Sequence, residues 1–197
     1  MTLSRRLIFH VDVNSAYLSW EAAYRLQQGD SLDLRTVPSA VGGDPEARRG
    51  IILAKSIPAK KYKIQTGETI FSAKQKCPEL IVVSPNYNLY RQCSEYLKNI
   101  LADYSPLIQQ FSVDEFFLDF SGMEQIWGDP LATAHQLKET VKKQLGFTIN
   151  IGISSNKLLA KMASELEKPD KVHTLFPEEI PSKMWPLPVE ELFGVGR

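Results

Sequence analysis

Phe111-Ser112-Val113-Asp114-Glu115-Phe116-Phe117-Leu118-Asp119 sets two adjacent acids inside a run that is otherwise apolar and aromatic. Residues of this type favour a half-buried strand. Burying Asp114 and Glu115 there costs several kcal/mol unless a cation meets them. A hard divalent cation such as Mg²⁺ is one answer, because it takes carboxylate oxygens as ligands. Neighbouring side chains of a straight strand point to opposite faces. The two acids can therefore serve one site only where the chain turns, as at the tip of a hairpin. An ordinary polar turn between two strands has the same local pattern.

Upstream, Leu7-Ile8-Phe9-His10-Val11 forms a short apolar strand that ends in Asp12. His10 on that strand reads as a core histidine. Asn14 and Ser15 read as caps of a helix over residues 16–26, with Gly29 as its stop. Backbone N–H groups at that helix start favour an anion such as phosphate. Residues 36–41 and 50–54 read as strands joined by the loop Gly42-Gly43-Asp44-Pro45. Lys55-Ser56-Ile57-Pro58-Ala59-Lys60-Lys61-Tyr62-Lys63 is the densest basic stretch of the chain. Pro58 fits the first turn of a short helix. Its lysines serve either as point charges for phosphates or as a solvated face. A short amphipathic helix over residues 70–77 and a strand over 80–83 follow.

Downstream, apolar residues recur at helical spacing from 86 to 104, and again from 130 to 145. These are the two long helices, one on each side of the acid hairpin. Phe147-Thr148-Ile149-Asn150-Ile151-Gly152-Ile153 alternates like a strand, and Ser154-Ser155-Asn156 caps a helix over residues 157–167. Lys157 falls in its first turn, where the macrodipole disfavours a cation. It is either matched by an anionic partner or is a plain surface lysine. The tail from 176 to 197 is rich in Pro, Glu and Trp. Its end, Gly194-Val195-Gly196-Arg197, is similar to the hairpin of helix-hairpin-helix DNA-backbone binders. The chain is therefore expected to be a piece of something longer.

The 197 residues are 43% hydrophobic and 23% charged, which suits one large or two small globular domains. Twenty-three basic and twenty-three acidic residues cancel, so no global field steers the chain to nucleic acid. Any such site must be local. Cys77 and Cys93 have no paired spacing, which excludes a disulfide framework or a cysteine zinc site and points to a reducing, cytoplasmic setting. No apolar run approaches the length of a membrane span, and the start of the chain does not read as a signal peptide.

The element order predicts an α+β fold. A mixed sheet carries two long helices on one face, and a small β-rich insertion lies roughly over residues 16–85. In that arrangement Asp12 can meet Asp114 and Glu115 although they are a hundred residues apart in sequence. Three such acids make a two-metal site for phosphoryl transfer, with Lys60 and Lys157 supplying further positive charge.

Four stretches, in order, resemble the motifs of Y-family translesion DNA polymerases, of the bacterial DNA polymerase IV type. They are Phe9-His10-Val11-Asp12-Val13-Asn14-Ser15-Ala16-Tyr17, Ser56-Ile57-Pro58-Ala59-Lys60-Lys61-Tyr62, Ser112-Val113-Asp114-Glu115, and Gly152-Ile153-Ser154-Ser155-Asn156-Lys157-Leu158-Leu159-Ala160-Lys161. The resemblance implies a palm over residues 1–15 and 86–170, fingers over 16–85, and the start of a truncated thumb over 171–197. It implies template-directed addition of deoxynucleotides to a primer 3′ end, with Asp12, Asp114 and Glu115 as the catalytic acids. The backbone carbonyl of Val13 joins them in holding two Mg²⁺ ions, for which Mn²⁺ can substitute. Lys60, Lys157 and the amides of Ser15, Ala16 and Tyr17 bind the triphosphate, and Tyr17 is the steric gate that excludes a 2′ hydroxyl. The implied partners are primer-template DNA, deoxynucleoside triphosphates and a sliding clamp recruited through a C-terminal region absent here, with no membrane involved. A palm-fold nucleotide cyclase, or a catalytically silent relative, is the alternative.

The sequence also departs from the family pattern. Asn14 stands where many members have Asp, Ile57 replaces a frequent phosphate-binding tyrosine, and Lys60 replaces a frequent arginine. Losing a hydroxyl contact and a bidentate fork weakens nucleotide grip. The rest of the thumb and the little finger, which supply much of the family's DNA grip, are missing. The piece alone is therefore expected to be weakly active or inactive.

Overall fold

The computed structural model describes residues 6–43 and 50–195. In chain order the elements are β1 (Ile8–Val13), α1 (Ala16–Gln27), β2 (Ser39–Gly42), β3 (Ile52–Lys55), α2 (Ile57–Lys60), α3 (Ile70–Lys76), β4 (Ile81–Val83) and α4 (Tyr87–Tyr104). They continue with β5 (Ile108–Gln110), β6 (Glu115–Asp119), α5 (Glu124–Trp127), α6 (Pro130–Leu145), β7 (Ile149–Ser154), α7 (Lys157–Glu165), β8 (Val172–Thr174) and α8 (Ile180–Lys183). The chain divides into two compact units, Met1–Asn14 with Ser94–Arg197, and Ser15–Cys93. The architecture is the expected α+β one, with mixed sheets.

The first unit holds a five-stranded sheet in the order β5-β6-β1-β7-β8. β1 runs antiparallel to both β6 and β7, and β8 joins β7 in parallel. All six residues of β1 are buried, so both faces of the sheet are covered there. On one face lie Phe9, Val11, Phe116, Leu118 and Ile151, all fully buried. Phe9 stacks on Phe120 with centroids 4.5 Å apart. α6 packs against β7, and Tyr104 of α4 meets α6 through its hydroxyl, 3.2 Å from Thr140 Oγ1. The opposite face, which carries His10, Phe117 and Gly152, is covered by α7. Gly152 permits that approach. A Cβ on it would stand 2.0 Å from the Ala160 carbonyl oxygen and 2.4 Å from the Ser164 amide nitrogen.

The long helices are bounded by the residues the sequence offers. The Asn86 carboxamide accepts from Leu89 N, Asp129 accepts from Ala132 N with Pro130 next in line, and Asn156 accepts from Leu159 N. Gly146 closes α6 at φ 74°, where glycine carries no Cβ penalty.

The second unit is built on a three-stranded sheet, β3-β2-β4, antiparallel on one side and parallel on the other. Ala40, Ile52, Ala59, Ile64, Ile70 and Leu80 belong to its core, together with the buried, unpaired Cys77. Ser56 caps α2 by accepting from Ala59 N, with Pro58 in the first turn. Of the loop expected at Gly42 to Pro45, Asp44 and Pro45 lie outside the described residues, as do Gly196 and Arg197 of the terminal hairpin motif.

Three local readings change. β1 does not stop at Asp12 but runs on to Val13, because its last residues pair with Ile149 and Asn150 of β7. Ser15 does not cap α1. It sits at φ 48°, ψ 52° and gives the helix no side-chain hydrogen bond. The Asn14 amide nitrogen donates to Asn150 Oδ1 at 3.0 Å, and its oxygen accepts from Thr148 Oγ1 and Asp170 N at 2.9 Å each. β8, a short edge strand of mixed composition, had no signal in the sequence. Beyond it, Ile180, Met184, Leu187 and Leu192 pack against Leu159 and Met162 of α7, so part of the tail is held to the first unit by apolar contact.

Candidate active site

The centre of the first unit brings two distant acids side by side. Asp12, the fifth residue of β1, lies directly opposite Glu115, the first residue of β6. Directly opposed residues of an antiparallel pair share a face, so both acids stand on the face that α7 covers. Asp114 precedes Glu115 at the end of the turn. Its carbonyl accepts from Val13 N at 3.1 Å, and its carboxylate accepts from Ser112 Oγ at 2.7 Å. Phe111 N and Ser112 N both donate to the Glu115 carbonyl, which closes the hairpin. The turn demanded by the adjacent acids is therefore present.

Asp12 and Glu115 are each met by a lysine. Lys168 Nζ donates to Asp12 Oδ2 at 2.9 Å and to Glu165 Oε1 at 2.8 Å. Lys161 pairs with Glu115 Oε2, which also faces His10 Nε2 at 2.9 Å. His10 Nδ1 lies 2.8 Å from Ser164 Oγ. Burial lowers the His10 pKa, which favours a neutral ring. A neutral imidazole serves both partners when Nε2–H donates to Glu115 and Nδ1 accepts from Ser164. His10 is thus a core histidine, as read, but one that orients an acid.

The two acids hold their protons differently. Burial pushes Asp12 up to about 7, an effect Lys168 only partly offsets. Burial also works against the Lys168 ammonium, but Asp12 and Glu165 outweigh it and raise the lysine. For Glu115 the balance reverses. Burial alone would raise it, but His10 and Lys161 together hold it at about 2.

Among the described residues, no three His, Cys, Asp or Glu side chains stand close enough together to hold a metal by themselves. Asp12 pairs instead with Lys168, and Glu115 with Lys161. The donor chemistry nonetheless fits a hard divalent cation, with carboxylates on Asp12, Asp114 and Glu115 beside the backbone of Val13. A carboxyl raised to about 7 with a lysine already bound marks a buried charge that the surrounding cations do not fully compensate.

The remaining predicted residues are placed as follows. Lys157 opens α7, pairs with Gln109 of β5 and lies 5.8 Å from the centroid of the Phe117 ring. Ser15, Ala16, Tyr17 and Lys60 belong to the second unit. Lys60 ends α2 and is exposed. Ser15 and Ala16 form the start of α1, which no side chain caps. Tyr17 stacks on Tyr90 with centroids 4.5 Å apart and planes 10° apart. Sequence reasoning missed Lys161 and Lys168 as partners of the acids. The signal for Lys161 was its place four residues after Lys157, on the same side of α7. Nothing near Lys168 announced a partner 156 residues away.

This is the fold of Y-family DNA polymerases over about half their length. DinB of Sulfolobus solfataricus superposes with a TM-score of 0.82 at 23% identity, over 96% of this chain and 54% of that one. A Y-family chimera of Dbh and Dpo4 superposes at 0.84 with 22% identity and the same coverage. Residues 11–165 match the sequence model of the impB/mucB/samB family, and the chain belongs to that family. It is 52% identical to DNA polymerase IV of Clostridium acetobutylicum over 98% of this chain and 48% of that protein. It is 42% identical to DNA polymerase IV of Acetivibrio thermocellus over 98% and 47%. The chain therefore spans about half the length of these relatives. The resemblance drawn from the four motifs holds, and none of these relatives favours the cyclase alternative. Among the described residues, no helix is long and apolar enough to cross a membrane.

Proposed function

We propose that the chain is the catalytic half of a template-directed DNA polymerase of the translesion type, adding deoxynucleotides to a primer 3′ end. The observation that carries this reading is the placement of Asp12 opposite Glu115, with Asp114 bonded through its backbone to Val13. The naming of its relatives as DNA polymerase IV supports it. Asp12, Asp114, Glu115 and the Val13 carbonyl would hold two Mg²⁺ ions, which Mn²⁺ could replace. A divalent cation held there would supply Lewis-acid activation of a hydroxyl and offset charge on the phosphates.

The chain's own groups do the rest. Lys157 and Lys60 hold the triphosphate as point charges, and the amides of Ser15, Ala16 and Tyr17 bind it at the start of α1. His10 and Lys161 hold Glu115 ionised and in one orientation. Tyr17 lies under the sugar and excludes a 2′ hydroxyl. On this reading residues 1–15 and 86–170 are the palm, 16–85 the fingers, and 171–197 the start of the thumb. The protein works in the cytoplasm on primer-template DNA. Its remaining half supplies further DNA grip and the contact to a sliding clamp.

Primer extension by the full-length protein tests this reading. Each deoxynucleotide is expected to be added only opposite its complement, in the presence of Mg²⁺ or Mn²⁺. With nucleoside triphosphates and no DNA, no cyclised product is expected. Cyclised nucleotide in that control, or extension that ignores the template, would overturn the assignment.

A further inference from the structure

Within the second unit, the ring of Tyr17 belongs to a closed loop of contacts that runs through a buried carboxylate. Tyr17 and Glu21 lie four residues apart on α1 and so share one side of that helix. Tyr90 of α4 meets both. Its ring stacks on Tyr17, and its hydroxyl donates to Glu21 Oε1 at 2.9 Å. Tyr90 is 1% exposed and Glu21 4%. Trp20, fully buried, packs near both tyrosine rings, with centroids 6.0 Å from Tyr17 and 5.7 Å from Tyr90. Arg25 Nε stands 3.7 Å from Glu21 Oε2.

A carboxylate at such a position is expensive to bury, and a leucine would fill similar space without that cost. What the carboxylate adds is direction. It holds the far end of the Tyr90 ring, and the face of that ring backs Tyr17. A gate that works by clash rejects an extra hydroxyl only as far as its packed wall refuses to shift. The stiffness of the wall therefore sets the discrimination.

We propose that Glu21 is a positioning residue for sugar selection. By hydrogen-bonding Tyr90 it fixes the ring that supports Tyr17 against a ribonucleotide's 2′ hydroxyl. This rests on the reading of Tyr17 as the sugar gate.

The test uses the full-length polymerase on one primer-template. It compares kcat/KM for a deoxynucleotide with kcat/KM for the ribonucleotide of the same base. Tyr17→Ala is expected to show the largest fall in that ratio. Tyr90→Phe keeps the stack but loses the hydroxyl, and Glu21→Leu removes the acceptor. Each is expected to lower the ratio about three- to tenfold, mainly through faster ribonucleotide insertion. Glu21→Gln, which keeps an acceptor, recovers most of the loss. A purely structural role would slow both nucleotides alike and leave the ratio where it was. If Tyr90→Phe and Glu21→Leu keep the parent's ratio while Tyr17→Ala loses it, Glu21 has no part in selection and the inference falls. If Tyr17→Ala also keeps the ratio, the gate reading itself falls and takes the inference with it. Thermal unfolding of each variant shows whether it is folded, and if Glu21→Leu is not, Tyr90→Phe decides alone.

Discussion

Asp12 and Glu115 face each other across one strand pair, yet their carboxyls are held at about 7 and about 2. The difference lies in the partners. Glu115 has both an imidazole and an ammonium on one oxygen, whereas Asp12, more deeply buried, has a single lysine that it shares with Glu165. Gly152 matters equally at this scale, because it lets α7 and its Lys161 reach the sheet. Gly152→Ala drives a Cβ into the backbone of α7, where no side chain can yield. It is expected to cost about 4 kcal/mol or more, or to prevent folding. Urea denaturation measures this, and an unchanged midpoint would show that α7 can move away without penalty.

At the scale of elements, the loop between α7 and β8 is tied to α6 by charge. Asp170 accepts from Lys138 and Lys142, each at 2.8 Å, and Lys138 is mostly buried. Burial alone would raise the Asp170 carboxyl, but the two lysines more than offset it and hold it below its ordinary value of 3.8. The unfolded chain then takes up that proton first as pH falls. The stability from Asp170 is complete above about pH 5 and is lost as pH drops below its ordinary value. Asp170→Asn is the clean substitution, since the residue sits at φ 62° and asparagine tolerates that region. It is expected to destabilise by about 2 kcal/mol near neutral pH, with the difference from the parent shrinking below about pH 4. Urea midpoints of both proteins across that range check it, and a difference that stayed constant would contradict it.

The same scale explains what could be read in advance. α4, α6 and α7 were legible because their caps and apolar stripes are local, as with Asp129 before Pro130 and Gly146 after Leu145. The acid hairpin was legible because two adjacent carboxylates cannot both point inward from a straight strand. Ser15 misled because a serine ahead of a helix ordinarily caps it, and nothing local reveals a left-handed backbone. Lys168 with Asp12 and Tyr90 with Glu21 are side-chain choices made only after the chain has folded, and residue spacing does not encode them.

For the whole molecule, the equal counts of basic and acidic residues mean that the chain carries no net field to steer it to DNA. On the proposed function, grip on primer-template comes from local lysines and from the rest of the full-length protein, since the chain spans about half the length of its relatives. Catalysis and DNA binding are then carried by different parts, and a defect in one should leave the other intact. Single-turnover insertion of one correct deoxynucleotide by the full-length protein, with Asp12→Asn, Asp114→Ala and Glu115→Ala beside the parent, tests that division. Each variant is expected to insert at least about a hundredfold more slowly while holding primer-template as tightly as the parent. Insertion at the parent's rate by any of the three would contradict the assignment of the acids.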